Sequence, residues 1–101
     1  MLADSIITTH TSTLPNAILD QDGLWYLPCV IRTSGAGMSA IIHVYDSNED
    51  GSRGDWFQCI YGQGDSVNAL VASVCEDGGI AEDTKAVYAL REVAIACLFN
   101  D

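Results

Sequence analysis

The side chains best equipped for covalent chemistry are four cysteines and two histidines: Cys29, Cys59, Cys75, Cys97, His10 and His43. A thiol becomes a nucleophile when a neighbouring imidazole takes its proton, and the two need only meet in space. Nothing in the spacing of His10 or His43 selects a cysteine partner, so each is expected as a surface or hydrogen-bonded strand histidine. The cysteines stand 30, 16 and 22 residues apart, without a CxxC pair or a neighbouring histidine, and this pattern offers no zinc ligand set. Their neighbours are apolar, as in Trp56-Phe57-Gln58-Cys59-Ile60-Tyr61 and Ala94-Ile95-Ala96-Cys97-Leu98, which predicts buried free thiols of the kind a reducing cytoplasm maintains. A thiol enzyme using Cys29 or Cys59 is the catalytic alternative, and it requires a cysteine that alkylates rapidly at neutral pH.

Three short motifs invite functional readings. Asp46-Ser47-Asn48-Glu49-Asp50-Gly51 spaces its oxygen ligands like the first half of an EF-hand loop, with Gly at the sixth position. The twelfth position is Phe57, where calcium needs a bidentate Glu, and strands rather than helices are expected on either side, so the segment reads as a solvated acidic hairpin loop. Arg53-Gly54-Asp55 spells the tripeptide of integrin-binding loops where an exposed turn is expected, but the cytoplasmic cysteine pattern argues against an extracellular receptor. Gly62-Gln63-Gly64-Asp65 lacks the third glycine of a phosphate-binding turn, Val67 standing in its place, and Asp65 would repel a phosphate; a glycine turn ahead of a helix cap is expected. None of these names a reaction, and neither a catalytic residue, a metal nor a cofactor is expected.

Charge carries more information. Fourteen Asp and Glu against four Lys and Arg give a net charge of -10 in 101 residues, which repels nucleic acid and anionic membrane and favours basic surfaces. Between Asp46 and Asp83 lie nine acids and one base, Arg53, a balance of -8. Asp46, Glu49, Asp50, Asp55, Asp65, Glu76 and Asp77 are thus the candidate partner-binding residues, with Trp56 as an aromatic anchor among them.

The elements that must position these residues follow from periodicity. Residues 5–14 are rich in β-branched side chains and end at Pro15, which predicts a first strand. Ala17-Ile18-Leu19 is a short strand or a single helical turn before the turn signal Asp22-Gly23. Residues 24–32 form a strand whose Pro28 requires an edge position or a bulge, and residues 33–37 turn the chain. Met38 to Tyr45 alternates, with Met38, Ala40, Ile42 and Val44 on one face. A polar loop, 46–55, joins it to a strand over 56–61. Val67, Leu70, Val71 and Val74 then recur at helical spacing behind Asp65 or Ser66 as N-cap, ending near Gly78-Gly79. A second helix runs from about 81–84 to Phe99 with Val87, Leu90, Ala94, Cys97 and Leu98 as its core stripe. Tyr88, Ile95 and Phe99 make a second apolar row on that helix, either covered within the domain or available as an oligomer surface. The expected architecture is one α+β domain over residues 1–101: an antiparallel sheet of three to five strands followed by two C-terminal helices packed on one face. An apolar fraction of 49% supports a folded chain. No apolar run approaches a membrane span, and Met1 to Ser5 lacks the basic start of a signal peptide, so a cytoplasmic protein is expected.

In size, acidity, missing enzyme motifs and available Trp and Tyr anchors, the chain resembles the small phage proteins called anti-CRISPRs. The resemblance implies a non-enzymatic inhibitor that docks on a basic, nucleic-acid-binding surface of a protein or nucleoprotein complex such as a CRISPR effector, in the host cytoplasm, without contacting nucleic acid itself. It transfers no residue roles. The alternative is a phage or bacterial assembly protein that forms a homodimer or larger oligomer through Tyr88, Ile95 and Phe99.

Overall fold

Alternation builds the sheet and periodicity near 3.6 covers it. Met38, Ala40, Ile42 and Val44 are all buried on one face of their strand, whereas Ser39, Ile41, His43 and Tyr45 between them are exposed or half-buried. The structure, a computed structural model, describes residues 9–33 and 37–99. In chain order the elements are β1 (Thr9–Thr13), β2 (Ile18–Leu19), β3 (Trp25–Thr33), β4 (Met38–Ser47), β5 (Arg53–Gly64), α1 (Val67–Gly78) and α2 (Lys85–Phe99). The strands form one antiparallel sheet in the order β1-β3-β4-β5, with β2 also paired to β3. This is the expected α+β architecture, five strands followed by two C-terminal helices. Residues 5–8 of the predicted first strand and residues 34–36 of the predicted turn lie outside the described residues.

Pro28 is accommodated differently from the expectation of an edge or a bulged strand. β3 is an inner strand, paired with β4 on one side and with β1 and β2 on the other. The interruption falls in the partner instead. β1 ends by pairing Thr13 with Cys29, β2 resumes by pairing Ile18 with Tyr26, and the segment containing Pro15 leaves the ladder between them. Thr13 Oγ1 donates to the Pro28 carbonyl at 2.9 Å. A strand residue's N–H and C=O point to the same side, so the donor that Pro28 lacks faces the break in the edge, and the ladder to β4 loses nothing.

The helices seal one face. Ser66 caps α1, its hydroxyl accepting from Ala69 N at 3.1 Å, and Gly79 closes the other end with a left-handed φ of 64°. Leu70, Val71 and Val74 from α1 and Val87, Leu90, Val93, Ala94 and Cys97 from α2 pack on Tyr26, Val30, Met38, Ala40, Ile42, Val44 and Ile60. Each fully buried Val or Leu here contributes about 1.5–3 kcal/mol. The core stripe of α2 ends at Cys97, because Leu98, predicted inside, is partly exposed. α1 lies so close over β5 that a Cβ on Gly62 would sit 2.4 Å from Val74 Cγ2, and one on Gly64 2.5 Å from Leu70 N. These glycines are the floor beneath a helix, within a strand, and not the turn their sequence predicts.

The helix layer stops short of the sheet's end. Gln58 stands across from Val44 and shares the helix-side face with Ile60, yet it is exposed. From there β5 runs back to Arg53 and β4 on to Ser47, so the β4–β5 hairpin extends past the helices. On the opposite face no described element covers Trp25, Leu27, Cys29, Ile41, His43, Tyr45, Cys59 or Tyr61, all half-buried or exposed. Among the described residues no helix is long and apolar enough to cross a membrane.

Candidate functional site

The hairpin carries the first acidic group. The strands reach further than the predicted loop, to Ser47 and Arg53, and leave a five-residue connection, Asn48-Glu49-Asp50-Gly51-Ser52, whose Gly51 has a φ of 85°. Asn48 N donates to the Ser52 carbonyl at 2.8 Å and Gly51 N to the Asn48 carbonyl at 2.9 Å, closing the turn. Asp50 Oδ1 accepts from Ser52 N at 3.0 Å and from Ser52 Oγ at 2.6 Å. Those two bonds hold its carboxyl below the usual carboxylate range. Asp46, Glu49, Asp50 and Asp55 are all exposed, and the turn contains no base; Arg53 follows it as the first residue of β5. Arg53-Gly54-Asp55 is strand rather than the exposed turn expected of it, and Arg53 is held sideways with its guanidinium carbon 4.4 Å from the Tyr45 ring centre. Trp56 pairs across from Tyr45 and is 53% exposed. Phe57, also exposed, is the extra residue where the register shifts between Val44 and Tyr45.

Two further acidic segments lie toward the same end of the sheet. The β2–β3 turn holds Asp20 and Asp22, and in the sequence this segment reads as a turn signal and not as part of the acidic group. Ser47 Oγ donates to the Gly23 carbonyl at 2.5 Å, tying that turn to the base of the hairpin. The α1–α2 link supplies Glu82 and Asp83, preceded by Glu76 and Asp77 in the last turn of α1. The link's Ile80 and Thr84 line a cavity of about 220 Å³ together with Asp20, Asp22 and Tyr26. Asp65, by contrast, sits between β5 and α1 at the opposite end of the sheet, and so it stands apart from the other acids it was grouped with.

Several of these carboxylates are spent on the fold. Asp20 is 8% exposed, and it accepts from Gln21 N at 2.7 Å and from Ala86 N at 3.1 Å. The second bond caps α2 from the β2–β3 turn, far away in sequence, beside the local cap in which Thr84 Oγ1 accepts from Val87 N at 3.3 Å. Asp22 accepts from Leu24 N at 2.9 Å and from the Tyr26 hydroxyl. Burial, then that hydrogen bond, pushes the Tyr26 phenol well above its ordinary range. Asp77 Oδ2 accepts from Tyr61 N at 2.9 Å and Ser73 Oγ from Gln63 N at 3.0 Å, so α1 side chains cover part of the outer edge of β5. Glu82 is bound to Arg91 at 3.2 Å, and Arg91 also donates to Asn68 Oδ1 at 3.0 Å, linking both helices. Asp46, Glu49, Asp55, Glu76 and Asp83 remain exposed on the surface.

No family model, curated protein or solved structure matches the chain. What the site can do therefore rests on its own geometry. Among the described residues no three His, Cys, Asp or Glu side chains converge as a metal-binding group. His10 lies in β1 opposite Arg32, and its side chain is outside the described residues. His43 and Cys59 stand across from each other on β4 and β5, with Cys59 Sγ 3.4 Å from His43 Nδ1. Sequence spacing could not show this pairing, because it is set by the register of two strands across a loop. The Tyr88, Ile95 and Phe99 row is exposed on α2, at 57%, 47% and 82%, so it is not covered within the domain by any described element.

Proposed function

We propose that the chain is a non-enzymatic, acidic interaction protein that inhibits a partner by docking on its basic, nucleic-acid-binding surface. The observation that carries this reading is the hairpin arm: it extends past the helix layer with exposed Asp46, Glu49, Asp50 and Asp55 and the half-exposed Trp56 at its root. Carboxylates on such an arm steer association with a positive groove and compete there with phosphates, and an adjacent Trp supplies the desolvated contact that charge alone does not. Glu76 and Asp83 extend the negative surface behind the arm, with Asp65 outside it. The partner class is a basic protein or nucleoprotein complex of the host cytoplasm, such as a CRISPR effector. The test is a DNA mobility-shift assay on a panel of purified, guide-loaded CRISPR effectors. The chain is expected to displace target DNA from at least one of them, less effectively as salt rises, and the variant D46K/E49K/D50K/D55K is expected to lose the effect. Displacement that is indifferent to both salt and charge reversal removes the reading.

A second reading, assembly into a homo-oligomer, is favoured by one specific observation, the exposed Tyr88, Ile95 and Phe99 row. Light scattering separates it from the first. A dilution-resistant ring or larger oligomer that Phe99→Glu dissolves supports assembly, whereas a monomer at all concentrations leaves the inhibitor reading alone.

A further inference from the structure

The four cysteines are chemically unequal. Cys97 is fully buried, its Sγ directed at the Val30 carbonyl at 3.7 Å. Burial pushes the Cys29 and Cys75 thiols up, aided by Cys97 beside the first and by Glu82 beside the second. Cys59 lies on the sheet face that no described helix covers, and it has an imidazole nitrogen 3.4 Å from its sulfur. The placement is a consequence of register. Ile60 and Ile42 are both buried on the helix side and paired, and this puts their neighbours Cys59 and His43 opposite each other on the other face. Tyr61 N and Gln63 N point outward to α1, so Cys59, at the same parity, belongs to a pair without mutual ladder hydrogen bonds, the class whose side chains approach most closely.

We propose that Cys59 is the nucleophilic thiol of this chain, with His43 as its proton acceptor, and that small disulfides modify it to a mixed disulfide. The step balances without another oxidant. Nδ1 of His43 takes the thiol proton, Cys59 Sγ bonds to one sulfur of the disulfide, the S–S bond of the reagent breaks, and the departing thiolate takes the proton back from His43. One mixed disulfide and one free thiol result. Room for the added group lies one register pair along the strands, where Ser39, Ile41, Tyr61 and Gln63 line an open cavity of about 330 Å³.

Among the described residues, the groups that titrate or carry charge around the pair are few. On β5 they are Tyr61, raised by its hydrogen bond to Cys59, and Arg53; on β4, Tyr45; on β3, Cys29 across from Ile41; and on α1, Asp77 at the Tyr61 backbone. A reagent without charge therefore isolates the imidazole from the acidity of the whole molecule.

The experiment treats the full chain with iodoacetamide and with 2-hydroxyethyl disulfide, both neutral, from pH 5.5 to 9.5, and maps each cysteine by peptide mass spectrometry. Cys59 is expected to react at least about tenfold faster at pH 7 than Cys29, Cys75 or Cys97, and to keep most of its rate down to the imidazole range rather than falling with the ordinary thiol near pH 8.5. His43→Gln is expected to lower the Cys59 rate at pH 7 about tenfold and to return the profile to that of an ordinary thiol. The disulfide product should release one thiol per chain and reverse with dithiothreitol. If wild-type Cys59 reacts no faster than Cys29 and Cys75, or if its rate rises only with an ordinary thiol titration, the proposal is overturned whether or not the His43 variant folds.

Discussion

Two groups of carboxylates of the same chemical type do opposite things in this molecule. Asp20, Asp22 and Asp77 are anchored against the sheet and helices, and each accepts a backbone N–H: those of Gln21 and Ala86, of Leu24, and of Tyr61. Asp46, Glu49 and Asp55 stand on the hairpin arm, where among the described residues Asp50 is the carboxylate that accepts hydrogen bonds, from its neighbour Ser52. The buried Asp20 completes a hydrogen-bond inventory that would otherwise have a gap, Asp22 and Asp77 fix a turn and a strand edge at the surface, and an acid on the arm contributes mainly field. The net charge of -10 is therefore not one quantity with one use. Part of it holds the fold together, and the part beyond the helix layer lies exposed on the surface.

This contrast is broken or sharpened by substitutions whose stability effects differ in size. The largest loss should come from Asp20→Ala, which leaves the start of α2 and the β2–β3 turn without a buried acceptor; about 2–3 kcal/mol is expected by denaturant unfolding. Gly62→Ala should cost about 1–3 kcal/mol by the same measurement, because its Cβ would press on Val74, and it tests whether α1 needs the close approach that keeps Asp77 at the β5 edge. Tyr26→Phe should cost about 1 kcal/mol at neutral pH. Since the folded state raises the Tyr26 phenol, wild-type stability from this group is complete below about pH 10 and declines as pH climbs above that value, and the variant should show a shallower alkaline loss in thermal melts. The smallest effect belongs to the arm. D46K/E49K/D50K/D55K should change unfolding free energy by no more than about 0.5 kcal/mol in total while altering what the chain binds.

Much of the fold was legible because it depends on local pattern. The alternation of Met38 to Val44, the helical spacing of Val67 to Val74 and a cap at Asp65 or Ser66 each declare themselves within a few residues, and the structure selects Ser66. The departures are all long-range. Pro28 reads as an edge signal, and only the β1–β2 break opposite it explains its place in an inner strand. Gly62 and Gly64 read as a turn because sequence does not show Val74 and Leu70 arriving above them. For the candidate site, the arm acids and Trp56 were visible as loop composition. The separation of Asp65, the capping role of Asp20 across 66 residues and the His43–Cys59 pair were not, since register and packing between distant segments create them.

The most direct test of the proposed division of labour measures stability and function on one protein. D46K/E49K/D50K/D55K is compared with wild type by thermal unfolding and by displacement of DNA from a guide-loaded CRISPR effector that the wild type inhibits, at low and at high salt. The account predicts an unfolding midpoint shifted by no more than about 4 °C, with displacement abolished in the variant and weakened by salt in the wild type. A variant that still displaces DNA as well as wild type, at either salt concentration, would contradict it.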